Sequence, residues 1–364
     1  MSESRVGGDE RVARAALSRV CEPADAAVGR LVAQEGARVA LEHVDRVSRR
    51  RNCSLAELLD RAHQDLTAIN ASGGRFIVPG DDEWPTQLDD LDDEAPFGIW
   101  LKGDADLRLV ALRSVAIVGA RAATSYGARI AANLASDLAD RGWCVVSGGA
   151  YGVDAAAHRG SLAVDGYTVV VLASGVDVAY PASHEGLFAR CAESGVLLSE
   201  APPGEVARRW RFLDRNRLIA ALTRGTVVIE AAHRSGALST ARRAADLGRQ
   251  IMGVPGPVNS IASAGVHRLI RDGATLVTCA DDVVREVDGG VVVIDQGVAI
   301  ERLSQSASEV LAALNTRKGQ SSDHIAFRCS RLVPDTLADL AELELARLAR
   351  CTPTGWVSIA RSET

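Results

Sequence analysis

The chain has 364 residues, 47% of them hydrophobic and 24% charged, with a formal net charge of −6. That balance supports a sizeable core and argues against global disorder, and at roughly 150 residues per domain it predicts two or three domains. An acidic body does not attract polyanions as a whole, so any nucleic-acid site has to be a local basic patch.

Residues 9–70 read as short helices. DERVARAALSRV and PADAAVGRLVAQEGARVAL carry apolar residues at helical spacing, and SLAELLDRAHQDLTAI opens with Ser54 followed three residues later by Glu57, a capping box. ASGGRF then breaks the pattern, which sets a helical first domain over 1–74 with its boundary at Gly73 and Gly74. From 75 to 290 apolar strands alternate with helices, the strands being SVAIVG (114–119), WCVVSG (143–148), YTVVVLA (167–173), GVLLSE (195–200), GTVVIEA (225–231) and QIMGVPG (250–256). Such an alternation predicts an α/β fold: an extended Rossmann-like parallel sheet covered on both faces, with its ligand at the carboxyl ends of the strands. Those ends, VGARAATSYG, SGGAYGVD, LASGVDVAYP, EAAHRSGALS and VPGPV, are rich in Gly, Ser or Pro. DGGVVVIDQGVAIE reads as a linker with a short strand. Residues 300–364 then give helices (SASEVLAAL, PDTLADLAELELARL) and a hairpin (RCTPTGWVSIA), the order of a winged helix.

The seven cysteines lie far apart and without a CxxC, which fits a reducing cytoplasm rather than a disulfide framework or a zinc site. No apolar run reaches the roughly 18 residues of a membrane span, and MSESRVGGDERVAR lacks the apolar core of a secretory leader. Lys102 and Lys318 are the only lysines, so the preference for Arg is chain-wide and says nothing about any one position.

Two stretches carry chemistry. In VVSGGAYGVDAAAHRG (145–160) a strand meets Gly148, Gly149 and Gly152 and then a helix. Backbone N–H groups at such a helix start form an anion site, helped by the helix dipole. The dinucleotide fingerprint is not met, since Ala150 and Val153 stand where it needs glycine. Asp154 and His158 share a helix face, as an acid/base pair or as supports of the loop. The supporting role is the preferred reading, because no Glu stands beside a Gly–Thr loop. A metal is not expected: two ligands are too few, and His184, His233 and His267 are scattered. In ARRWRFLDRNRLIAALTRG (207–225), Arg208, Arg209, Arg211, Arg215 and Arg217 fall within ten residues, with Trp210 and Phe212 among them. Guanidinium groups neutralise phosphates, and aromatic rings stack on unpaired bases. The alternative is a solvated loop in an Arg-rich chain, or, if the segment is helical, an Asp214–Arg217 pair.

At these residues a resemblance becomes specific. VAIVGARAATSYG, SGGAYGVDAAAHRGSL, VAYP, FLDRNRLIAALTRGTVVIEA, SGALSTAR, VPGPV and HRLIRDGA occur in that order, and together they resemble the DNA processing protein A family (DprA, also called Smf) over about residues 84–280. The resemblance implies a sterile-alpha-motif-like N-terminus, a Rossmann-like middle and a winged-helix-like C-terminus. It implies a non-enzymatic protein, without a cofactor, that binds and protects single-stranded DNA and assists RecA loading in DNA uptake and recombination, commonly as a homodimer. It places the DNA pocket at Gly119, Arg121, Ser147, Gly148, Gly149, Arg209, Phe212, Arg215, Asn216, Arg217, Ser235 and Gly236. In that pocket Phe212 would stack on a base. Arg121, Arg215, Asn216 and Arg217 would hold phosphate or form the wall, and Ser147, Gly148, Ser235 and Gly236 would supply backbone and hydroxyl donors. With about four phosphates neutralised, the log–log salt slope on single strands would be roughly −3. Tyr151 stands where many relatives carry Arg, and the C-terminal unit lacks a clear Gly-rich wing. The rival reading is a nucleotide-binding enzyme of the phosphoribohydrolase type. Its PGGxGTxxE pattern puts a Glu next to the phosphate loop, and VPGPVNS and SGGAYGVD supply none.

Overall fold

The computed structural model describes residues 7–47, 54–288, 304–315, 319–345, 348–352 and 355–358. The chain divides into two compact units, Met1–Gly289 and Gly290–Thr364.

The first unit opens with helices α1 (Gly8–Val20), α2 (Ala26–Glu35), α3 (Ala37–Val47) and α4 (Leu55–Ala71). The apolar periodicity runs straight through residues 26–47, but Gly36 sits at φ 87° and turns the chain, splitting the run in two. At α4 the capping box forms: the Glu57 N–H donates to the Ser54 hydroxyl at 3.3 Å, and the Glu57 carboxylate accepts the Ser54 N–H at 2.6 Å.

A nine-stranded sheet follows, made of β1 (Gly74–Ile77), β2 (Ile99–Lys102), β3 (Ser114–Val118), β4 (Cys144–Ser147), β5 (Thr168–Val171), β6 (Gly195–Ser199), β7 (Gly225–Val228), β8 (Gln250–Gly253) and β9 (Thr275–Leu276). Its order is β1-β2-β6-β5-β4-β3-β7-β8-β9. From β6 to β9 every pairing is parallel, as the apolar runs predict. The edge differs, because β1 and β2 add on antiparallel. These two short strands carry no helix-spaced crossover between them to mark a parallel pair, and they were not legible as part of the sheet.

Alternate side chains of each central strand serve opposite cores. Val115 and Ile117 pack with α6 (Ser125–Asp140), α7 (Val153–Leu162) and α12 (Ala280–Val287). Ala116 and Val118 pack with α5 (Leu107–Leu112), α9 (Arg211–Leu222) and α10 (Gly236–Asp246). Helix α8 (Glu185–Glu193) flanks β5 and β6, and α11 (Ile261–Arg271) follows β8. The N-terminal helices share a core with the sheet: Leu17, Leu41 and Ile69 belong to one cluster with Phe76, Trp100, Val170 and Phe188. Trp100 is fully buried, lies 4.3 Å from the Phe76 ring centroid, and donates its indole N–H to the Ser18 hydroxyl at 3.3 Å.

The second unit holds α13 (Gln305–Ala313), α14 (Ser322–Arg328), α15 (Val333–Leu345) and an antiparallel pair, β10 (Ala349–Thr352) with β11 (Gly355–Ser358). Gln320 bridges to Trp356 and extends the pair, while Val310, Ile325, Leu340 and Leu343 form the core. The strand expected in the linker falls among residues 289–303, outside the described residues. Among the described residues no helix is long and apolar enough to cross a membrane.

Trp100→Ala is expected to cost about 3–5 kcal/mol, the usual loss for a truncated buried Trp. Because α1–α4 share its core, helical and aromatic circular dichroism signals of residues 1–289 should be lost at one denaturant midpoint. Two separated transitions would contradict the shared core.

Candidate nucleic-acid interface

Strand β3 lies between β4 and β7, so the chain order reverses beside it. A crevice opens at the carboxyl ends of strands at such a switch point. Here it is a cleft of about 610 Å³, lined among others by Gly119, Arg121, Ala150, Asp154, Tyr180, Arg209, Phe212, Arg215, Asn216, Ser235 and Gly236. The structure thus brings Gly119, Arg121, Arg209, Phe212, Arg215, Asn216, Ser235 and Gly236 to one cleft. Ser147, Gly148, Gly149 and Arg217 do not line it.

All four are buried. The Ser147 hydroxyl is fully buried and donates to the Ile117 carbonyl at 2.6 Å. Gly148 is a glycine because of Arg215: a Cβ there would sit 2.4 Å from the guanidinium. Arg215 Nη1 instead donates to the Gly148 carbonyl at 2.7 Å and to the Val171 carbonyl. The Gly149 carbonyl accepts from His184 Nδ1 at 3.0 Å. The loop's glycines therefore admit protein groups: its carbonyls take Arg215 and His184, and its Ala150 amide takes Asp154. Arg217 has no exposed surface and pairs with Glu200 at 2.6 Å. Residues from Arg211 onward are helical, as the Asp214–Arg217 alternative requires, but the carboxylate partner of Arg217 is Glu200.

The remaining arginines of the cluster divide in the same way. Arg211 is buried and contacts Glu22 at 3.0 Å and Glu205 at 3.1 Å. Arg208 lies 3.9 Å from each of the same two carboxylates. Among the described residues no carboxylate pairs with Arg121 or Arg209, and both are exposed at the cleft. The Arg121 guanidinium lies 4.9 Å from the centroid of the Phe212 ring, and Tyr180 tilts against the same ring at 5.4 Å. Asn216 accepts from Arg215 Nε at 3.2 Å and donates to the Gly236 carbonyl at 3.3 Å. Ser235 caps α10, its hydroxyl accepting the Ala237 N–H at 3.3 Å. Tyr151 is half exposed, shares a hydrogen bond of 2.8 Å with the Ser183 hydroxyl, and packs edge-on against His184 at 4.8 Å.

Asp154 and His158 part company. The Asp154 carboxylate faces the loop and accepts the Ala150 N–H at 3.3 Å. Burial pushes its pKa up, against the opposing pull of the Arg215 charge and of hydrogen bonds from the loop. The same burial brings Arg215 down to about 10, so it stays charged at neutral pH. His158 is fully buried and turns to the sheet, its Nδ1 2.7 Å from the Thr168 hydroxyl. That hydroxyl gives its own proton to the Val145 carbonyl at 2.8 Å, so Nδ1 carries the ring's proton and donates. Burial lowers the His158 pKa to about 3, helped by the His184 and Arg215 charges. The ring is neutral and away from the cleft, which is the supporting role.

Sequence reading missed Tyr180 as a lining residue, although it stands within the quoted stretch VAYP. It also missed the counter-ions Glu22, Glu200 and Glu205, which no local spacing ties to the arginines they neutralise.

A mostly parallel α/β sheet with an arginine-and-aromatic cleft at its switch point defines a Rossmann-like binding protein. The family model described as DNA recombination-mediator protein A matches residues 75–288, and the chain belongs to that family. A Mycobacterium tuberculosis protein bearing the DprA name is 45% identical over 93% of this chain and 92% of its own length. The crystal structure of DNA processing protein A from Streptococcus pneumoniae aligns with a TM-score of 0.63 at 32% identity, covering 77% of this chain and 98% of that one. A DNA processing protein A from Helicobacter pylori, described as having a unique single-stranded DNA binding mode, aligns with a TM-score of 0.51 at 30% identity, over 56% of this chain and 91% of that one.

The buried neutral imidazole makes stability pH-dependent. Below the ordinary His value of about 6.5 the unfolded chain takes up a proton that native His158 refuses, so stability falls as pH falls, down to about 3. Between pH 6.5 and 5 this amounts to about 1.6 kcal/mol. In urea melts at the two pH values, wild type minus His158→Gln should shrink by that amount on acidification. A constant difference would mean the ring titrates normally.

Proposed function

We propose that this protein binds single-stranded DNA in the cleft at the β3–β7 switch point and does not cut it. The observation that carries the reading is the step formed by Arg121, Phe212 and Tyr180. A cation over an aromatic ring, with a second ring beside it, offers unpaired bases a stacking surface next to phosphate-binding charge. Duplex bases are already stacked and offer no free face, hence the preference for single strands. Family membership and the single-stranded DNA binding mode described for the Helicobacter relative support the same ligand.

The chemistry of the site fits binding rather than catalysis. His158 is turned away, and Asp154 is committed to the loop and Arg215. Glu230 is buried, its carboxylate accepting the Thr124 N–H at 2.9 Å and the Thr124 hydroxyl at 2.5 Å. It thus secures the N-cap of α6 instead of facing a phosphate. Incubation with nucleoside monophosphates should release no free base; release would restore the phosphoribohydrolase reading. The further role, read from the family, is protection of the strand and assistance to RecA loading by a cytoplasmic homodimer, with a winged-helix-like C-terminal unit. Light scattering and RecA assembly on protein-coated oligonucleotides test these.

Two free guanidinium groups at the cleft, rather than four, lower the expected salt slope to about −1.4. Gel shifts with matched single- and double-stranded oligonucleotides across salt concentrations measure it, and a slope near zero would sink the model. Arg121→Ala and Arg209→Ala should each weaken binding to every sequence alike, since phosphate contacts carry no base code. Phe212→Ala should cost about 1–3 kcal/mol on single strands.

A further inference from the structure

The segment that follows β6 runs from Glu200 to Trp210 and delivers Arg209 and Phe212 to the cleft. Its middle is tied down locally: the Gly204 N–H donates to the Asp177 carboxylate at 2.9 Å, and the Glu205 carbonyl accepts the Gly175 N–H at 2.8 Å. The rest is held from the N-terminal helices. Arg19, on α1, donates to the Pro203 carbonyl at 3.0 Å and is itself fixed by Asp65 of α4 at 2.7 Å. Glu22, just past the end of α1, accepts the Trp210 indole N–H at 3.1 Å and the Arg211 Nε–H at 3.0 Å with one carboxylate oxygen. Burial alone would raise the Glu22 pKa. The hydrogen bonds from Arg211 and Trp210, with the Arg211 and Arg208 charges, outweigh it and hold the carboxylate below its ordinary value.

Resting on the single-strand reading, we propose that Glu22 is a positioning residue for the DNA cleft. Through Trp210 and Arg211 it fixes the start of α9, so that Phe212 meets Arg121 and Tyr180 while Arg209 stays free. Glu22 does not touch the cleft. It also withdraws Arg208 and Arg211 from the charge available to phosphate. The N-terminal helical layer is thereby part of the binding apparatus.

The sign of the effect separates this role from simple electrostatics. Deleting a carboxylate near a polyanion site strengthens binding if only its charge matters. If Glu22 positions, deleting it weakens binding even though the cleft becomes more positive. In anisotropy titrations with labelled oligothymidylate, Glu22→Ala should bind about tenfold more weakly, the scale of a lost charge-assisted hydrogen bond, with an unchanged salt slope. Glu22→Gln keeps an acceptor oxygen and should stay within about twofold of wild type. Tighter binding by both variants, with a steeper slope, overturns the proposal. A second arm needs no DNA. Hydrogen exchange of residues 205–213 should accelerate in Glu22→Ala but not in Glu22→Gln, while α4 exchanges as in wild type. Unchanged exchange over 205–213 overturns the proposal whether or not DNA binds. Failure of the wild-type protein itself to bind oligothymidylate sinks the single-strand reading instead, and the exchange arm still decides the role of Glu22.

Discussion

The cleft depends on one buried cation. Arg215 lines the floor with its guanidinium against the carbonyls of Gly148 and Val171 and the charge of Asp154 beside it. A charge taken out of water is tolerable only when partners replace its hydration, and here they come from the ends of two adjacent strands and the start of a helix. The arrangement requires a glycine at 148, because any Cβ would occupy the guanidinium's place. It also draws the loop's carbonyls inward. The glycine-rich turn that would suit an anion is therefore used to seat a protein cation. Asn216, bound to both Arg215 and Gly236, transmits the same anchor to the start of α10. Three cleft walls, from β4, α9 and α10, are joined through one side chain and its neighbour.

This changes how the arginine cluster is to be understood. A run of five guanidinium groups reads as a phosphate track, yet most are neutralised before any ligand arrives: Arg217 by Glu200, Arg211 by Glu22 and Glu205, Arg215 by carbonyls and Asp154. Helical geometry explains the division. Arg211, Arg215 and Arg217 lie within α9, on positions that its packing buries, and a buried arginine has to be paired. Arg209 precedes the helix and escapes that demand. Local charge density in a sequence overstates the charge a surface presents, and burial decides by how much.

Much of the architecture was legible. The parallel strands and their covering helices follow from apolar runs with glycine-rich ends, and the α4 capping box from Ser54 and Glu57. The cleft's place at the carboxyl ends follows from the strand order that such a fold adopts. What escaped reading shares one property, dependence on contacts distant in sequence. The antiparallel edge strands are four residues each and take their place from pairing with β6. Glu22 is 189 positions from Arg211, and nothing near either residue announces the pair. Helix α14, seven residues long, is too short for periodicity to reveal.

An acidic protein that holds a polyanion has to keep most of its negative charge from acting at the site. Here several carboxylates are spent on cations or on backbone donors: Asp154 on the loop and Arg215, Glu200 on Arg217, Glu230 on Thr124, Glu22 and Glu205 on Arg211. A neutralised pair contributes little field beyond its own dimensions, and what remains at the rim is the pair of free guanidiniums around an aromatic step. Attraction is then short-ranged and modest, and stacking has to supply a larger share of the affinity than in a strongly basic protein. On the proposed function, preference for unpaired strands follows from that balance: when charge alone holds a nucleic acid, duplex and single strand are both welcome, but when stacking carries much of the energy only exposed bases qualify.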